Sequence, residues 1–110
     1  TIPPFKLLRL MLNQQDKKKF RAIGHHLNPV VTISGNGLSE SVLAELNRAL
    51  ADHELIKIRI NGDRDQRASV LDAILENTTA IKIQATGGTA VVYKKALEPK
   101  AHLSNVARYG

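Results

Sequence analysis

The sequence has no cysteine, no tryptophan, one methionine, two phenylalanines and two tyrosines in 110 residues. Without cysteine there is no disulfide, no thiol nucleophile and no cysteine-ligated zinc. A reducing, cytoplasmic setting is compatible with that and is the expected location. So few aromatics argue against a nucleic-acid surface built from stacking platforms. No apolar run is long enough to span a bilayer, and no stretch has the pattern of a secretory signal. Negative charge is the scarcer sign, with 10 acidic against 16 basic residues.

What is present is a basic chain of one-domain length. The formal net charge is +6 and the pI is near 9.9. In so small a domain this excess favours a polyanionic partner, RNA or DNA before membrane. The first ten residues, TIPPFKLLRL, look foreign to the rest and precede the single methionine, Met11. Residues 1–10 are therefore expected to be an extension derived from the expression vector, residues 11–96 the natural domain, and residues 97–110 a C-terminal tail.

From about Asn13 to Leu27 the pattern is helical. Phe20, Ile23 and Leu27 make a narrow apolar stripe, surrounded by Lys17, Lys18, Lys19 and Arg21. Asn28-Pro29 ends the helix, because proline disfavours helical geometry at the residue before it. Residues 30–33 read as a short buried strand. A glycine-containing turn follows, and then Ser39 as N-cap of a second helix, with Val42, Leu43, Leu46, Ala49 and Leu50 at helical spacing as far as His53. Leu55–Asn61 alternates, with Ile56, Ile58 and Ile60 on one face and Lys57 and Arg59 on the other. Asn61-Gly62-Asp63 is a turn, and Asp63 with Gln66 resembles a capping box for a third helix, about Arg64 to Asn77. Ile81 and Ile83 alternate with Lys82 and Gln84. Gly87-Gly88 signals a hairpin, and residues 89–94 return as the last strand. From Lys95 periodicity is lost, and an incompletely ordered tail is expected.

The element order is thus α-β-α-β-α-β-β. Crossovers between parallel strands are right-handed in nearly all cases, so crossovers stepping the same way across a sheet put their helices on one face. The expectation is a small α/β domain with a four-stranded mixed sheet and helices on one face. The other face is expected to be open and polar, carrying Lys57, Arg59 and Lys82.

The turn Ser34-Gly35-Asn36-Gly37 is the stretch to which the chemistry attaches. Glycine admits positive φ and keeps side chains out of the way. Amides at the start of a helix are unpaired and carry partial positive charge, so the loop suits an anion such as a phosphate. On its own, Gly-Asn-Gly between a strand and a helix signals only a turn.

Three segments together carry more: Gly24-His25-His26-Leu27-Asn28-Pro29-Val30-Val31, Gly35-Asn36-Gly37-Leu38-Ser39-Glu40 and His53-Glu54-Leu55-Ile56-Lys57-Ile58. This combination resembles the CRM domain, the chloroplast RNA splicing and ribosome maturation domain, in its stand-alone bacterial, YhbY-type form, from about Met11 to Ala96. The resemblance implies a fold similar to the C-terminal domain of translation initiation factor 3. It implies RNA binding through the glycine loop and nearby basic residues. It implies an association with precursors of the large ribosomal subunit. The family's Gly-x-x-Gly loop places its first glycine on Ser34 and its second on Gly37. A serine there is still small, and its hydroxyl can donate to a phosphate. Thr79 stands where the family often has the glycine that ends the third helix.

The expected RNA-binding residues are Lys17, Lys18, Lys19, Arg21, Ser34, Gly35, Asn36, Gly37, Lys57 and Arg59, with neither metal nor cofactor and with a monomer as the expected state. A protein-interaction or scaffold role, docking through the open sheet face, is the alternative. Catalysis has little to stand on. His25 and His26 are adjacent, about 100° apart on a helix, and no nucleophile–base set recurs at a useful spacing. A KH domain also has a Gly-x-x-Gly loop, but between two helices, whereas here a strand precedes it.

Overall fold

In the computed structural model the described residues are 14–98 and 100–106. The expected extension over residues 1–10, Met11 and Tyr109 lie outside them. The elements are α1 (Gln14–His26), β1 (Pro29–Ile33), α2 (Glu40–His53), β2 (Leu55–Ile60), α3 (Arg64–Thr78), β3 (Ile81–Thr86) and β4 (Thr89–Tyr93). The sheet order is β1-β2-β4-β3. β1 runs parallel to β2, and β4 is antiparallel to both β2 and β3. This is the small α/β domain with a mixed four-stranded sheet that the pattern implies.

The local signals act as their chemistry dictates. Ser39 Oγ accepts from the Val42 amide at 3.2 Å and caps α2. Asp63 and Gln66 close a full capping box at the start of α3, at 2.8 and 2.9 Å. Gly87, at φ 56°, makes the tight β3–β4 turn, with Thr86 opposite Thr89.

Both crossovers step the same way, so α2 and α3 cover the same face. Their Leu46, Leu50, Val70 and Ile74 bury against Val31, Ile33, Ile56, Ile58 and Val92. At roughly 1.5–3 kcal/mol for each fully buried aliphatic side chain, this layer is the main source of stability.

The expectation that all helices share one face fails for α1. That helix precedes the first strand, so no crossover constrains it, and it packs on the opposite side. There Phe20 and Ile23 bury against Leu55, Ile81, Ile83 and Val91. Gly24 allows the close approach, since a Cβ on it would stand 2.8 Å from Val91 Cγ2. Lys82 also departs from the expected polar face. A register shift between Lys82 and Gln84 accompanies Ile81 and Ile83 facing α1, and Lys82, opposite Val92, points to the α2/α3 side.

The segment after β4 is docked rather than loose. Glu54, at φ 61° and buried, accepts from Ser104 Oγ at 2.6 Å and from the Ala96 amide at 3.0 Å. Asn105 Nδ2 donates to the Leu55 carbonyl at 2.7 Å, and His53 Nδ1 donates to that of Leu103 at 2.9 Å. Lys100 pairs with Asp52. Its hydrogen bond, aided by its charge, holds the Asp52 carboxyl below the usual range against the opposing effect of desolvation.

Candidate nucleic-acid interface

One end of the sheet gathers three loops. β1 and β2 are parallel neighbours, so the turns leaving them, residues 34–39 and 61–63, lie side by side. The antiparallel β4 begins at the same end, which brings the Gly87-Gly88 hairpin beside β2. Hydrogen bonds fix the arrangement. The Asn61 amide donates to Ile33 O at 2.9 Å, and the Ile60 amide donates to Gly88 O at 2.8 Å. Ligands of open α/β sheets gather outside the carboxyl ends of parallel strands.

The first loop is shaped from within. The Gly37 amide donates to Ser34 O at 3.2 Å, and the Asn36 amide donates to Ser34 Oγ at 3.2 Å. Two of the amides expected to meet a phosphate, those of Asn36 and Gly37, are therefore committed to the turn. The amides of Gly35, Leu38, Glu40 and Ser41 have no acceptor among the described residues. The exposed Ser34 hydroxyl accepts from Asn36 and keeps its own hydrogen to donate outward. Ser34 thus adds a side-chain donor to the backbone donors of the loop.

The two loop glycines do different work. A Cβ on Gly35 would stand 2.6 Å from Asn61 O and 3.0 Å from Gly62 Cα, so Gly35 is small because the two loops touch. Gly37 faces open space, and its φ of 122° is what calls for glycine.

Of the predicted basic residues, Arg59 is nearest the loop along the sheet. It pairs with Thr32, two positions before Ser34, and is exposed on the α1 side. Lys57 lies one step further down, lining a 190 Å³ depression with Gly24, His25, Thr86 and Thr89. The four cations of α1 are not beside the loop. Lys18 and Lys19 are exposed, and Lys17 and Arg21 are partly so. They flank Phe20, which stacks on Tyr93 at 4.7 Å, and Tyr93 pairs with Leu55 at the far end of β2. That is five residues, roughly 17 Å, from the loop along the strand. Lys57 and Arg59 stand between, so the positive surface is a band along the uncovered part of this face rather than a cluster around the turn. α1 occupies the other part of that face, so the open sheet expected for protein docking is reduced to this band.

Sequence reasoning missed the second loop. Its signal was Asn61-Gly62-Asp63, another glycine turn between a strand and a helix, which parallel pairing of β1 and β2 brings against the first.

Comparisons with known proteins bear on the family and on the fold. The family model for the CRS1 / YhbY (CRM) domain matches residues 12–94. The "Probable RNA-binding protein" of Pseudomonas aeruginosa is 46% identical over 101 residues, covering 91% of this chain and 97% of the relative. An RNA-binding protein of Haemophilus influenzae is 42% identical over 93 residues, covering 84% and 94%. The solution structure of a hypothetical protein from Staphylococcus aureus superposes with a TM-score of 0.69 at 25% identity, over 80% of this chain and 93% of that one. The chain belongs to the CRS1/YhbY (CRM) domain family.

Proposed function

We propose that this protein binds RNA, and that its RNA is large-subunit ribosomal RNA in precursor particles whose assembly it assists in the cytoplasm. It acts as a monomeric binding module with no chemistry of its own. Family membership and the RNA-binding names of its relatives support the class of ligand. The observation that carries the reading is the loop at residues 34–38. It offers the Ser34 hydroxyl and the Gly35 and Leu38 amides at the sheet end where Arg59 is exposed. Phosphates meet these donors, and Arg59, Lys57 and the α1 lysines continue the backbone track. With few aromatics to stack on, structured RNA is read by shape and backbone.

Crosslinking in cells followed by mapping of the RNA contacts tests the partner. Contacts concentrated in large-subunit ribosomal RNA are expected, and contacts spread over messenger RNA would refute that assignment. In vitro, three to six phosphate contacts give a log–log salt slope of about −2 to −4 on single strands, at about −0.7 per contact. A flat salt response would remove the backbone track. A folded Gly37→Asp variant should lose affinity, and unchanged RNA contacts would take the loop out of the site. A scaffold role is less well supported, because α1 covers much of the face it requires.

A further inference from the structure

A cleft of about 390 Å³ lies between α3 and the β3–β4 hairpin, on the face opposite α1. Arg64, Arg67 and Lys82 line it, with Asp72 as the one acid among its lining residues. None of the three cations forms an ion pair with a carboxylate among the described residues. Arg64 and Arg67 stand in the first turns of α3, where the helix dipole disfavours cations. Arg67 is positioned, because Nη1 donates to Gly62 O at 2.8 Å. The remaining N–H groups of its planar guanidinium are left to donate to two oxygens of an anion such as phosphate.

We infer that this cleft is a second phosphate site for the same RNA. The strand passes from the loop at residues 34–38 across Gly62 and into the cleft. The path is continuous. Gly35 touches Asn61 and Gly62, Gly62 is held by Arg67, and the hairpin tip closes the far wall. A Cβ on Gly87 meets nothing within 4 Å, so the tip is open to a passing chain. The proposal rests on RNA binding as read above, and it places contacts on the α3 side of the sheet end as well as the α1 side.

The test uses the full chain and in-vitro-transcribed large-subunit ribosomal RNA, titrated from low to moderate salt. Arg64 and Lys82 are exposed and have no hydrogen bond to lose, so Arg64→Gln/Lys82→Gln should fold normally. It should make the salt slope shallower by about 1.4 to 1.8, at about 0.7 to 0.9 for each lost contact. The control Arg48→Gln/Lys95→Gln removes the same charge elsewhere and should change the slope much less. Gly87 sits at φ 56°, a conformation asparagine and aspartate tolerate. Gly87→Asp should therefore bind about tenfold more weakly than its neutral counterpart Gly87→Asn. Equal slopes for the cleft and control variants, or equal affinity for the Gly87 pair, would overturn the cleft while the native chain still binds. The same result is expected if the cleft serves an acidic protein instead. A native chain that does not bind RNA at all overturns the parent reading, and the cleft site with it.

Discussion

Gly35 and Asn61, at the tips of two different strand-to-helix turns, are packed so closely that a single methyl on Gly35 would stand 2.6 Å from the Asn61 carbonyl oxygen. The obstacle is backbone and cannot rotate away. Gly35→Ala is therefore expected to cost about 1–3 kcal/mol and to shift the amide resonances of Asn61 and Gly62. Gly37→Ala meets no neighbour but is forced to φ 122°, at a cost of about 1–3 kcal/mol, with shifts confined to residues 34–39. Denaturant midpoints and amide spectra of the two variants separate clash from strain. A Gly35→Ala protein with native stability and an unmoved Gly62 would refute the contact.

Glu54 is the anchor of the C-terminal segment. Its buried carboxylate takes hydrogen bonds from Ser104 Oγ and the Ala96 amide. Removing the Ser104 hydroxyl leaves a buried anion short of a donor, so Ser104→Ala should lower stability by about 1–3 kcal/mol. A chain ending at Glu98 should lose at least as much, because the bonds from Asn105 and to Leu103 go too. Urea unfolding measures both. An unchanged midpoint on truncation would show that the segment contributes nothing to the domain.

Thr79 closes α3 at φ 59° and ψ 21°, a left-handed conformation that a β-branched residue adopts at a cost of about 1–2 kcal/mol. Glycine removes that cost but loses more chain entropy on folding, by about 0.4–1 kcal/mol. Thr79→Gly should gain a net of about 0.5–1 kcal/mol, raising Tm by roughly 2–6 °C. A lower Tm would show that Thr79 makes a compensating contact.

Most of the fold was legible because its signals are local. The Asp63–Gln66 box, the Ser39 cap, the Gly87-Gly88 turn and the period of two in Leu55–Asn61 each act within a few residues. The crossover rule then put α2 and α3 on one face. What failed was non-local. Alternation in β3 shows that Ile81 and Ile83 share a side, but not which side. That depends on pairing through β4 and on the register shift after Lys82. Leu55 and Val91, apolar residues on the face assigned to water, were the signs that α1 would cover it. In the site, the loop residues were found as a group, because they are contiguous. The distance from Lys17–Arg21 to that loop depends on where α1 docks, which its own stripe of Phe20, Ile23 and Leu27 does not specify.

Tyr93 links α1, Glu54 and alkaline stability. Its hydroxyl pKa is raised above the usual value, first by burial and then by the negative charges of Glu54 and Asp16. The raised pKa belongs to the folded state, and the unfolded chain ionises this group near pH 10. The stabilising contribution is therefore complete below about pH 10. It is lost as pH rises from there through the folded-state value, because the unfolded state then binds fewer protons than the folded one. Tyr93→Phe keeps the ring against Phe20 and has no proton to lose, so its stability should fall less steeply above pH 10 than that of the native chain. Denaturant unfolding at a series of alkaline pH values measures the two slopes. Parallel slopes would mean that Tyr93 ionises as freely in the fold as in the open chain.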